Sequence, residues 1–302
     1  MVLPLRQMAR GGSLAARPLN LQMMQRDYTP ESAMRRPLLL LQQMFADLLN
    51  SRQLAWRLFL RDLRAQYRQS LLGYVWLFLP PLLNAALPLF LNKEGLFNVG
   101  ETPIPYPAYL IISTALWQNF VDAVLAPLKI TMANRSMLTK INFPREALLL
   151  AGMCEVSFNF LLRLLLIVPV MLYCGVALNG HTLLAVPGFI SLLFMGSLLG
   201  ILLTPLGLLY GDIQRFLTLA LQFGMWLTPV VYPPSSDGII GWLSQYNPVS
   251  PLLVNTRSWL LGLPADYFIS HMFIVSVCLV LLGCSWVLYR VSLPHLIARL
   301  GM

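Results

Sequence analysis

Glu155, Asn159 and Arg163 recur at a spacing of four residues inside a long apolar run. On a helix that spacing puts all three side chains on one face. A charge in hydrocarbon is costly, so this face must meet protein, water or an opposite charge. Gln118, Asn119 and Asp122 form a similar stripe in the preceding run. Two readings fit such stripes: a polar seam between packed helices, or contact with something that passes through.

Other chemistry is easier to exclude. The lysines are Lys93, Lys129 and Lys140, and none follows glycine as a phosphate-cradling loop requires. The chain therefore does not hydrolyse nucleotide alone. The histidines, His181, His271 and His295, form no HExxH pattern and no recognisable Ser/His/Asp set. His271 reads as an interfacial or packed residue. Cys154, Cys174, Cys278 and Cys284 lack metal-site spacing and read as buried free thiols. No catalytic or metal site is expected, and no cofactor bound by this chain.

Aromatic residues cluster on two runs: Tyr74, Phe78 and Phe90, then Phe216, Phe223 and Trp226. Sugar rings stack on aromatic faces, so such residues suit a glycan channel. Interfacial belts and ordinary packing account for them equally well. Between two runs lies a short basic segment, 134–146, with apolar Met137, Leu138, Ile141 and Phe143. Such knobs suit docking into a soluble partner's groove. Resting on lipid headgroups is the alternative.

The elements that must position these residues are membrane spans. Of 302 residues, 57% are hydrophobic and 11% charged, with mean hydropathy +0.68. A water-soluble domain would be roughly a quarter charged. A bilayer core needs roughly 20 apolar residues per helix. Six spans are expected, at about Ser70–Leu91, Ala108–Leu128, Ala147–Ala177, Leu183–Leu209, Phe216–Val231 and Phe268–Leu288. The fifth is short and ends at Pro229.

Eleven arginines precede the first span. Lys129, Arg135, Lys140, Arg145, Arg215, Arg290 and Arg299 fall on the same side, against Lys93 and Arg257 on the other. The positive-inside rule then puts both termini in the cytoplasm. The net charge of +9 is mostly this topology signal. It points to anionic lipid headgroups, not nucleic acid.

Residues 1–45 read as a flexible cytoplasmic extension, 46–290 as the membrane domain and 291–302 as a short cytoplasmic tail. Within Leu48–Gln69, Trp56, Phe59, Leu60, Leu63 and Tyr67 share one helix face, while Arg57, Arg61, Arg64 and Arg68 share another. This is an amphipathic helix suited to the membrane interface. The stretch Tyr232–Tyr267 carries few charges and is broken by Pro233, Pro234, Pro248 and Pro251. Broken helices dipping into the outer leaflet fit it better than a hydrated loop.

Several segments resemble the permease subunits of bacterial polysaccharide ABC exporters, which move lipid-linked O-antigen, capsule or teichoic acid. Arg61 to Trp76 followed by Pro80-Pro81-Leu82 is similar to the family's entry to the first span. The loop Asn134–Glu146, with Phe143-Pro144-Arg145-Glu146, resembles its coupling helix. Tyr210-Gly211-Asp212-Ile213, Thr228 to Pro233, Tyr246-Asn247-Pro248 and Trp259 to Gly262 resemble further stretches. The resemblance covers about residues 45–290. Gly211 departs from it, since the family usually has Arg there, and the leader is longer than usual.

The resemblance implies an all-α membrane protein in the bacterial cytoplasmic (inner) membrane. It would have six transmembrane helices, an N-terminal interface helix, a cytoplasmic coupling helix and outer re-entrant helices between spans five and six. It implies a homodimer whose channel is lined by spans one and five, with Tyr74, Phe78, Phe223 and Trp226 facing the glycan. Two ABC ATPase subunits, carrying ATP and Mg, would dock at Met137, Leu138, Ile141 and Phe143. Arg61, Arg64 and Arg68 would meet the lipid phosphate. A drug or small-lipid exporter of the same architecture is the first alternative. An integral-membrane glycosyl- or acyltransferase is the second, with Asp62 and Asp212 as its obvious acids or bases.

Overall fold

The computed structural model describes residues 37–68, 71–96, 99–141, 143–176, 179–234 and 238–300. All regular structure among them is helical: α1 (Pro37–Arg68), α2 (Val75–Lys93), α3 (Tyr106–Ala133), α4 (Arg135–Lys140), α5 (Glu146–Tyr173), α6 (Gly180–Leu209), α7 (Asp212–Leu227), α8 (Gly238–Tyr246), α9 (Val249–Leu260) and α10 (Phe268–Leu300).

Five of these, α2, α3, α5, α6 and α10, are long and apolar enough to cross a membrane. They coincide with five of the six expected spans. The remaining expected span, Phe216–Val231, overlaps α7 over residues 216–227, and the 16 residues of that helix are too few to qualify by length. Thr228, which follows α7, adopts extended backbone ahead of Pro229. Helix α1, on which the interface helix is expected, begins at Pro37, so it takes in residues 37–45 of the expected extension. Residues 291–300 continue the last helix.

Helix α3 is the hub. It packs on α2, α5, α6, α7 and α9, and Leu110, Ile112, Leu116 and Leu128 are fully buried along it. The α3–α6 contact is built on glycine. Gly196 and Gly200, one turn apart, bring the α6 backbone against Phe120, Ala123 and Val124 of α3. Small residues let membrane helices approach to backbone contact, where dispersion replaces the missing hydrophobic drive. By contrast α10 is the most apolar span, with mean hydropathy 2.3, yet only 17% of its crossing window is buried. Ile269, Phe273 and Val280 on it stay open, as do Leu83 and Leu87 on α2 and Phe216, Leu219 and Phe223 on α7. Apolar surface of that kind needs lipid or a protein partner.

Candidate functional site

Helix α4 sits at one end of the bundle, between α3 and α5. Its first flanking residue, Asn134, is buried, and its Nδ2 donates to the Ile130 carbonyl (2.9 Å). Leu138 turns inward and joins a core cluster with Leu58 of α1, Ile130 of α3, Leu148 of α5 and Leu293 of α10. Met137 and Phe143 pack half-buried against the same cluster. Ile141 points outward and is 58% exposed. Of the four expected contact residues, then, Leu138 anchors the segment and Ile141 presents the free apolar surface.

Two polar clasps brace this end. Arg61 of α1 donates from Nη2 to the Asn134 Oδ1 (2.6 Å) and from Nε to Asp62 Oδ1 (2.8 Å). Arg61 is therefore engaged by protein on the very helix where phosphate contact is expected. Arg64 is exposed, and the Arg68 side chain lies outside the described residues. The second clasp is Arg290 of α10. Its Nη2 donates to Asp47 of α1 (2.6 Å), and its Nη1 donates to Glu146 at the start of α5. All three side chains are at most 10% exposed, so three helices meet at one shielded ion triad. Asp47 and Glu146 lie 99 sequence positions apart by number, and no local pattern links either to Arg290.

In the middle of the bundle the two polar stripes face each other. Arg163 of α5 pairs with Asp122 of α3 (2.6 Å), Gln118 Nε2 donates to Asp122 Oδ1 (3.0 Å), and Lys129 pairs with Glu155 (2.9 Å). Asn119 and Asn159 are buried on the same helices. Between the two readings open to the sequence, these ion pairs make the stripes a seam between α3 and α5.

The aromatic candidates are placed on separate helices. Tyr74, just before α2, is 46% exposed, with its ring 6.5 Å from that of Phe158 on α5. Phe78 is half-buried. Phe223 of α7 is 69% exposed, whereas Trp226 packs half-buried against the central core. Helix α2 packs on α3 and α5, and α7 packs on α3, α6 and α8. The two pairs thus stand on two helices that both pack on α3.

The opposite end carries a feature that sequence reasoning missed. Arg257 of α9 is buried, and its Nη1 donates to Ser113 Oγ of α3 (3.1 Å) and to the Pro229 carbonyl after α7 (2.9 Å). Its guanidinium also lies 4.2 Å from the centre of the Tyr109 ring, a cation–π arrangement. Burial pushes its pKa down, and the neighbouring Tyr109 opposes that. Tyr106 and Tyr109 hydroxyls donate to the Val231 and Tyr232 carbonyls, both at 3.0 Å. Asn247 Nδ2 donates to Thr228 Oγ1 (2.8 Å). The irregular backbone after α7 is therefore held by side chains of α3, α9 and the α8–α9 turn. The one available signal was a single Arg in a stretch otherwise nearly free of charge.

Among the described residues no three His, Cys, Asp or Glu side chains gather as a metal site. Asp62, a candidate acid in the transferase reading, is held by Arg61. No family model matches the chain. It is 27% identical over 235 residues to an O-antigen export system permease protein RfbA of Klebsiella pneumoniae, covering 74% of this chain and 87% of that protein. A second RfbA permease of Klebsiella pneumoniae is 26% identical with the same coverage. An O-antigen export system permease protein RfbA of Myxococcus xanthus is 30% identical over 182 residues, covering 58% of this chain and 66% of that protein.

Proposed function

This chain belongs with the permease subunits of bacterial polysaccharide ABC exporters, and from that premise we propose that two copies form the channel of an ATP-driven exporter of lipid-linked polysaccharide. It is a multi-pass membrane protein and a transport subunit, not itself an enzyme. In the proposal it lies in the cytoplasmic membrane with both termini inside. Helix α7 completes a sixth span, and α8 and α9 are the outer re-entrant helices. The open faces of α2 and α7 meet their counterparts in the second copy, and Tyr74, Phe78, Phe223 and Trp226 border the glycan path.

The observation that carries the reading is the mounting of α4. A six-residue helix is too short to be stable alone, yet here it is held against the core by Asn134 and Leu138 and is followed by one open apolar side chain, Ile141. Two ABC ATPase subunits, holding ATP and Mg, grip Ile141 with the half-buried Met137 and Phe143. Leu138 passes their closure into the core of α1, α3, α5 and α10. Arg61 and Asn134 pass it to α1, where Arg64 and Arg68 meet the (pyro)phosphate of the lipid carrier. Arginine suits that task because its planar fork matches phosphate oxygens.

The test is a pair of substitutions, Met137→Asp and Ile141→Asp, in cells expressing the ATPase. Surface polysaccharide should be lost while the permease still reaches the membrane folded. Normal recovery of the ATPase with the purified variant, together with normal export, would overturn the assignment.

A further inference from the structure

At the end of the bundle that carries α4, one side chain joins three helices. Arg290 of α10 donates from Nη2 to Asp47 of α1 (2.6 Å) and from Nη1 to Glu146. Glu146 opens α5 and directly follows Phe143-Pro144-Arg145. A displacement of the α4 segment therefore reaches Glu146 along the chain itself.

The surroundings show what such a bridge can do. Helix α10 packs chiefly along α6. It reaches the cluster around Leu138 with Tyr289 and Leu293, and its Trp286 ring lies 5.4 Å from that of Phe45 on α1. Apolar contacts of this kind can slide, because the hydrophobic effect has no direction. A guanidinium fork cannot, since its N–H groups fix each carboxylate in distance and angle. Parting either pair in so shielded a place is strongly opposed. Stability alone gives little reason for the triad, because a well-packed apolar trio often holds as well or better. What the ions add is a fixed register. Helix α10 is also the span with the smallest buried share, 17% of its crossing window, so it can shift without losing much packing.

We propose that Arg290 is a positioning residue of the transport cycle, making α1 and α10 follow the α4–α5 junction as one body. The inference rests on the reading that an ATPase drives α4. It adds a charge-borne route beside Leu138 and the Arg61–Asn134 clasp.

The test uses the whole exporter, permease with its ATPase. Each variant is measured for melting point, recovery of the ATPase, ATP hydrolysis in nanodiscs, and surface polysaccharide per permease in cells. Asp47→Leu keeps Arg290 on Glu146 and cuts the link to α1. It should melt near wild type, recover the ATPase in full and hydrolyse ATP at the wild-type rate, while export falls about five- to tenfold. The apolar trio, Arg290→Met with Asp47→Leu and Glu146→Met, should show the same split. Arg290→Lys keeps the charge without the fork and should lie between.

Wild-type export per ATP hydrolysed in Asp47→Leu would make the triad a structural staple and overturn the proposal. So would a melting point far below wild type in both Asp47→Leu and the trio. A loss of ATPase recovery that matches the loss of export would make the triad a docking element, which also overturns it. The α4 reading fails separately, through normal ATPase recovery and export in Met137→Asp and Ile141→Asp.

Discussion

Glycine 200 offers the sharpest test of how this bundle is held together. A Cβ added there would lie 2.4 Å from the Val124 carbonyl oxygen and 2.9 Å from Pro127 Cδ. Real Cβ atoms essentially never come within 3.0 Å of a neighbour. The obstructing atom is backbone, so no side chain can swing aside, and α6 must retreat from α3 by roughly half an ångström. Overpacking of this kind costs about 1–3 kcal/mol. Alanine recovers about 1 kcal/mol through its better helix propensity. Gly200→Ala should therefore destabilise by up to about 2 kcal/mol, and Gly200→Leu by more. Gly283 on α10 is the matched control, because an added Cβ there meets nothing within 4 Å. Gly283→Ala should be neutral or stabilising. Thermal unfolding read with a thiol-reactive dye suits both variants in a Cys284→Ser background, since Cys284 is exposed in the folded protein whereas Cys278 is buried. Gly200→Ala should melt several degrees below wild type. A midpoint at or above that of Gly283→Ala would refute the claim that backbone contact binds α3 to α6.

Removing Arg290 as Arg290→Met takes its positive charge away from the shielded Asp47 and Glu146, which should cost about 3–5 kcal/mol in the same assay. Adding Asp47→Leu and Glu146→Met should restore much of that stability, because an apolar trio avoids desolvating charge. Burial, with Tyr109 adding to it, raises the Tyr232 phenol from 10.0 to about 12. The folded state thus holds this proton more tightly than the unfolded chain. Its contribution to stability is complete below pH 10.0 and disappears as pH rises to about 12. Tyr232→Phe should flatten that part of an alkaline unfolding profile, and an unchanged slope would contradict the assignment.

The spans were readable because each is a continuous apolar run, and the Glu155-Asn159-Arg163 spacing exposed one side of the seam. Its other side was visible as a stripe, but the pairing of Asp122 with Arg163 depends on helices separated by 41 positions. The start of α1 at Pro37 carried a legible mark, since proline favours the first helical position. The basic and polar composition before it argued for a flexible segment instead. Leu138 and Ile141 looked equivalent in sequence. A helix of six residues is too short to display a periodicity that separates an inward from an outward side. Arg257 was unreadable for a different reason: its two hydrogen-bond partners lie 144 and 28 residues away.

The Arg290 triad has a consequence for biosynthesis. Its cation lies 243 residues downstream of Asp47, so nearly the whole chain must be inserted before this ion pair can form. Until then α1 and α5 lack the clasp that Arg290 places across Asp47 and Glu146. Maturation is thus timed to the last helix, and nascent chains halted before it would present an unlatched face to membrane proteases.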